Sequence, residues 1–171
     1  MELVYYPDEF LDRQVQEVDL ENPGFDPIQL KDEMTDFMLE NGGIGLAANQ
    51  IGLDAKVFVM GDSKANSTIC INPTVLQHTS NTTVDREGCL SFPGVILNVK
   101  RPKEILVQYY DHNLEEVTQK VSGYSARCYL HELDHVLGIT FKDRVSPMKW
   151  ERAMKKVEKI KRQQEKSLGL R

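Results

Sequence analysis

Residues 131–135 read His-Glu-Leu-Asp-His, and two histidines four apart share one face of a helix, close enough for both imidazoles to meet one metal ion. The intervening Glu132 would then sit against a water activated by that ion, the arrangement expected of a hydrolytic metal site. A catalytic metal needs a third protein ligand and an open position. His78 and His112 are candidates, both in polar, turn-like stretches. Glu87-Gly88-Cys89-Leu90-Ser91 is the better source, because a glycine lets the chain approach closely and a thiolate binds ferrous iron or zinc well. For an isolated cysteine a plain buried position is the ordinary expectation; Cys89 is singled out by its company. The third chemical stretch is Gly42-Gly43-Ile44-Gly45-Leu46-Ala47-Ala48-Asn49-Gln50-Ile51-Gly52. It satisfies G-x-G-x-x-A, yet a helical pattern rather than a strand precedes it, and no acidic residue about 20 positions on sits at a strand end to hold a ribose, so a dinucleotide site is not expected. Bare backbone laid against a ligand is the better use of such residues.

These side chains must be positioned by elements that the pattern also predicts. Asp26-Pro27-Ile28-Gln29 has the form of a helix start with a capping box. Leu30, Met34, Phe37 and Met38 then recur at helical spacing until Asn41-Gly42. Strands are expected at 56–60, 68–76, 95–99, 104–110 and 116–121, with Asp111-His112-Asn113 as a turn between the last two. Ser125 is placed to cap the helix that bears the histidines, and Gly138 to end it. A third helix is expected from about 146 to 165, with Trp150, Ala153, Met154, Val157 and Ile160 as its apolar stripe, followed by a short tail, 166–171. The order helix, strands, helix, helix predicts an α+β fold of antiparallel sheets around a central metal-binding helix, in one domain spanning 1–171.

Composition narrows the class. With 40% hydrophobic and 27% charged residues and no apolar run of about 20, the chain reads as a soluble protein without a membrane span. Its first residues, MELVYYPDEF, do not read as a signal peptide, and three cysteines without one point to reduced thiols and a cytoplasmic location. Charge is divided unevenly. Residues 149–171 hold nine Lys or Arg and three Glu, net +6, whereas residues 1–148 are net −11. Such a run is either a solvated helical face or an attachment to an anionic partner.

Taken together, Gly43 to Gln50, Glu87 to Ser91 and His131 to His135 resemble, in order and spacing, the three signature motifs of peptide deformylases, over about residues 4–165. The resemblance implies removal of the formyl group from the N-terminal formylmethionine of nascent proteins, with Cys89, His131 and His135 holding the metal. It implies Glu132 as general base and acid, Gln50 with the Leu90 N–H as donors to the developing oxyanion, and Gly43, Ile44 and Gly45 as an edge that pairs with the peptide. Arg127 and Cys128 are implied near the methionine pocket, and a pair between Asp134 and Arg101 behind the ligand helix. Fe²⁺ is the metal the resemblance favours; ligand chemistry alone admits Zn²⁺, Ni²⁺ or Co²⁺. A monomer is expected, and the ribosome is a candidate partner for the basic helix. The chain departs from the family pattern at Leu130, usually Gln, at Val136, usually Leu, and at Arg127, often apolar. Two rival functions remain at this point. A metalloendopeptidase would take its third ligand downstream, where Asp143 is the nearby carboxylate, and a non-catalytic metal-stabilised module would need a fourth ligand, for which Cys128 is the candidate.

Overall fold

The computed structural model describes residues 1–168, so Gly169, Leu170 and Arg171 of the expected tail lie outside the described residues. Asp26 caps the first helix, α1 (Pro27–Glu40), by accepting from the Ile28 and Gln29 N–H groups, and Gly42 follows its end at φ 72°. The expected capping box is not closed, because the Gln29 amide reaches forward to Glu33 rather than back to the cap. Next come β1 (Gly45–Ala47), β2 (Val57–Met60), β3 (Thr68–His78), β4 (Thr82–Glu87), β5 (Leu97–Pro102), β6 (Glu104–Tyr110) and β7 (Glu116–Ser122). They form a five-stranded antiparallel sheet in the order β1-β2-β3-β6-β7 and a separate β4–β5 ribbon. The architecture is the expected α+β arrangement.

Two helices sandwich the large sheet, which is why its central strands are apolar on both faces. Val57, Val59, Ile69 and Ile71 point to α1, meeting Leu30, Met34 and Met38. The residues between them, Phe58 and Cys70, point to α2 (Gly123–Val136), meeting Ala126, Tyr129, Leu133 and Val136. The β4–β5 ribbon packs Leu97 and Val99 with Phe92, Phe141 and Val157, the last from α3 (Pro147–Ser167).

Four local expectations are corrected. Strand β4 was not anticipated, because Thr82 to Glu87 is polar, and it is held by its ladder with β5 rather than by an apolar face. The strand expected at 95–99 begins at Leu97, after Val95 has turned back with its N–H on the Phe92 carbonyl. Helix α2 starts at Gly123, so Ser125 lies inside it and Ser122 precedes it without a side-chain cap. In α3 the apolar stripe ends at Val157: Trp150, Ala153 and Met154 pack on the body, but Ile160 is exposed. Other signals hold. Asp111 accepts from the Asn113 and Glu115 N–H groups to form the β6–β7 turn. Gly138, at φ 72°, follows α2 where a Cβ would stand 2.6 Å from the Gln14 nitrogen.

Candidate metal centre

Helix α2 crosses between the sheet and the ribbon and brings its polar face against the turn after β4. Ligand atoms of Cys89, His131 and His135 lie within 4.8 Å of one another, and no other such group occurs among the described residues. Cys89 Sγ is 3.2 Å from His135 Nε2. His131 turns its Nδ1 to Glu87 at 2.9 Å, which leaves Nε2 for the cluster. His78 is exposed, and neither it nor His112 joins the group.

Glu87 was quoted in the cysteine motif without a role, and the fold gives it one. Its two oxygens accept from Arg101 Nε at 2.9 Å, Arg101 Nη2 at 3.0 Å, Arg127 Nη1 at 2.7 Å and His131 Nδ1 at 2.9 Å. Burial opposes ionisation of Glu87, yet the bonds to His131 and Arg101 and their charges hold it down at about 2. A carboxylate on the outer nitrogen of a ligand histidine fixes the ring and its tautomer. The only sequence signal was an acid directly before Gly88 in the cysteine motif; its burial and its partners, from β5 and α2, come from the fold.

The expected pair between Arg101 and Asp134 is formed at 2.6 Å, and Arg144 closes on the same carboxylate, its Nε at 2.9 Å. Glu87, Arg101, Asp134 and Arg127 are all buried, so these charges are compensated by each other rather than by water. Arg127 lines the cavity at the site, while its guanidinium is engaged by Glu87 and by the carbonyls of Val99 and Thr83. Leu130 donates no side-chain polar group; its carbonyl accepts weakly from Arg101.

Glu132 is 4% exposed and lies one helical step from His131. Burial pushes its carboxyl up to about 7, and its Oε2 has no hydrogen-bond partner. A Cβ at Gly45 would collide with the Glu132 carboxylate, meeting its Cδ at 2.7 Å, and with Cys128 Sγ at 2.9 Å. The glycine is therefore required by close approach of the strand to the helix, not by its backbone angles. Cys128 Sγ in turn donates to the Ile44 carbonyl at 3.4 Å.

The Gln50 amide is held at both ends. Its Oε1 accepts from the Ala47 N–H at 2.8 Å, and its Nε2 faces Cys89 Sγ at 3.4 Å and Ser91 Oγ at 3.2 Å. Val4 and Tyr6 strap the two segments from behind, donating their N–H groups to the Gln50 and Ser91 carbonyls. No carbonyl or side chain among the described residues accepts from the Leu90 N–H. Strand β1 is an edge: Ile44 accepts from Gly61 on the β2 side, so alternation turns the Gly45 N–H and C=O to the open side. A cavity of about 360 Å³ opens there, walled by Gly43, Ile44, Gly45, Leu90, Arg127 and Cys128 among others.

One thiol and two imidazole nitrogens are a donor set suited to a divalent transition metal with an open position. The unpartnered Glu132 Oε2 at its side fits a site built to hold an ion and a water. The rival donors are otherwise engaged: Asp143 Oδ2 accepts from the Thr140 N–H and hydroxyl, 2.9 and 3.1 Å away, and Cys128 is bonded to Ile44.

Comparison with known proteins agrees with this geometry. The polypeptide deformylase family model matches residues 1–151. A peptide deformylase of Wolbachia sp. subsp. Brugia malayi is 37% identical, covering 96% of this chain and 98% of its own, and one of Fusobacterium nucleatum is 35% identical over 92% and 91%. Among solved structures, a peptide deformylase from Legionella pneumophila superposes with a TM-score of 0.85 at 32% identity, covering 95% of this chain and 96% of that one. Another, from Synechococcus elongatus in complex with actinonin, gives 0.82 at 32% identity over 91% and 85%. With the family's three motifs gathered around one cavity, the chain belongs to the peptide deformylase family.

Proposed function

We propose that this chain hydrolyses the formyl amide of N-terminal formylmethionine on newly made proteins, releasing formate, with Cys89, His131 and His135 as the metal ligands. The observation that carries the residue assignments is the convergence of Glu132, Gln50 and the open edge of β1 on the Cys89–His131–His135 cluster. A bound divalent metal supplies positive charge that lowers the pKa of water and polarises the formyl carbonyl. Glu132 takes the proton of the attacking water and returns it to the departing α-amine. The Gln50 amide, fixed by Ala47, and the Leu90 N–H donate to the oxygen on which negative charge grows. Gly45 and its neighbours Gly43 and Ile44 hold the peptide as an added strand, so that its formyl end faces the cluster. Arg127, its guanidinium committed elsewhere, and Cys128 contribute wall to the methionine pocket rather than a bond to substrate.

Fe²⁺ is the metal this reading favours, with Zn²⁺, Ni²⁺ or Co²⁺ compatible with the same donors. Among the described residues no helix is long and apolar enough to cross a membrane. A monomer working in the cytoplasm on emerging chains suits this reaction, and the basic outer face of α3 offers a contact to the ribosome through phosphate, since the body is net −11. Incubation with formyl-Met-Ala-Ser and with an internally cleavable peptide tests the activity. Formate from the first and no cleavage of the second is the expected result; cleavage of the second alone would make the chain an endopeptidase.

A further inference from the structure

The two ligand histidines are not supported alike. His131 hands its Nδ1 to Glu87, whereas His135 Nδ1 is buried without any partner. Asn49 is fully buried, and its Nδ2 donates to the main-chain carbonyl of the same histidine at 2.6 Å. That contact settles which amide atom is which, because the oxygen in the same place would face another oxygen. Asn49 Oδ1 is then left buried and unpartnered as well. A buried donor and a buried acceptor, each alone, thus occur in two residues already joined by a hydrogen bond. With Nε2 turned to Cys89, the neutral ring that binds metal there must keep its proton on Nδ1.

We infer that Asn49 is a positioning residue for His135: its side-chain carbonyl accepts the Nδ1 proton through one bridging water and so keeps Nε2 as the ligand atom. The inference rests on the metal-site reading above and adds a support for the second histidine equivalent to that of Glu87 for the first. The local fold makes it possible. Asn49 and Gln50 lie in one 3-10 turn (Ala48–Ile51), whose consecutive side chains diverge by about 120°, so Gln50 faces the cluster while Asn49 faces the backbone of α2. No protein group among the described residues meets either the oxygen or the ring nitrogen, and leaving both unpaired is unfavourable.

Two variants separate this role from simple anchoring of the helix end. Asn49→Leu loses both the donor and the acceptor; Asn49→Asp loses the donor to the His135 carbonyl and keeps an acceptor. Co²⁺ affinity, measured by chelator competition on purified full-length protein, should fall about 10- to 100-fold in Asn49→Leu. In Asn49→Asp it should stay within about threefold of the parent, while both variants melt at lower temperature. Equal affinity of Asn49→Leu and parent overturns the inference, and so does an equal loss in both variants, which would assign the effect to the lost donor. A parent protein that binds no Co²⁺ would instead overturn the metal-site reading itself. Ring-nitrogen NMR of the Zn²⁺-loaded parent is independent of how the variants fold: a slowly exchanging proton on His135 Nδ1 is expected, and a rapidly exchanging or absent one overturns the proposal.

Discussion

Helices α2 and α3 are built from the same kinds of residue and put them to opposite use. Of the fourteen residues of α2, ten are buried, and they include Arg127, His131, Glu132, Asp134 and His135. Of the twenty-one residues of α3, only Val157 is buried, and its lysines and arginines lie in water. In α2 three of these side chains answer a charge across an element boundary, Arg127 and His131 reaching Glu87 of β4 and Asp134 reaching Arg101 of β5, while the Glu132 Oε2 is left without a partner at the cluster. In α3 Arg162 and Glu158 pair at 3.8 Å, exposed on both sides. The lesson is one of dielectric. The same charges that contribute under about 1 kcal/mol at the surface become structural and chemical determinants when water is excluded.

The largest expected effect lies at the Cys89–His131–His135 cluster. Replacing Cys89, His131 or His135 by Ala should remove stoichiometric metal and with it turnover, since two remaining ligands hold an ion weakly; elemental analysis beside the formate assay checks both. Glu132→Gln should keep the metal and lose about 10²- to 10⁴-fold in kcat, because an amide cannot take the proton of water. Metal lost along with activity in that variant would blur the distinction between ligand and base. Gln50→Ala comes next, with a loss of about 10²- to 10³-fold in kcat in protein that still folds and binds metal; near-normal turnover would mean that the amide is not aimed at the oxyanion.

Asp134→Ala probes the frame rather than the chemistry. It leaves the buried Arg101 and the exposed Arg144 without that carboxylate, and denaturant unfolding should show a loss of about 3–5 kcal/mol, chiefly from Arg101. An unchanged midpoint would mean that the α2 network is no more stabilising than a surface pair. The smallest effect belongs to α3. Changing Lys155, Lys156, Lys159, Lys161 and Arg162 to Gln should alter stability by no more than about 0.5 kcal/mol for any one position and leave deformylation of a free peptide unchanged. Co-sedimentation with ribosomes should nonetheless fall at low salt, and equal pelleting of the two proteins would reduce the helix to a solvated face.

Residue types and their spacing were enough to place His131 and His135 on one face of a helix, to single out Cys89 beside them, and to anticipate most elements, because helical periodicity, caps and turn chemistry are local properties of the chain; Gln50 was singled out by the family resemblance. The basic character of α3 was equally plain, since a surface charge needs no partner to be read. Local reading failed where an element is held from outside. Strand β4 is polar and exists through its ladder with β5, and the stripe of α3 continues in sequence to Ile160 although the body it packs on ends near Val157. The support of the site was decided wholly by tertiary structure. Glu87 meets Arg101, Arg127 and His131 across 14, 40 and 44 residues of chain, and Asn49 meets His135 across 86. No periodicity encodes such separations. Exclusion of water on folding is what turns Glu87 from a soluble carboxylate into the anchor of His131, and close packing is what makes Gly45, with no side chain, the residue that fits against Glu132.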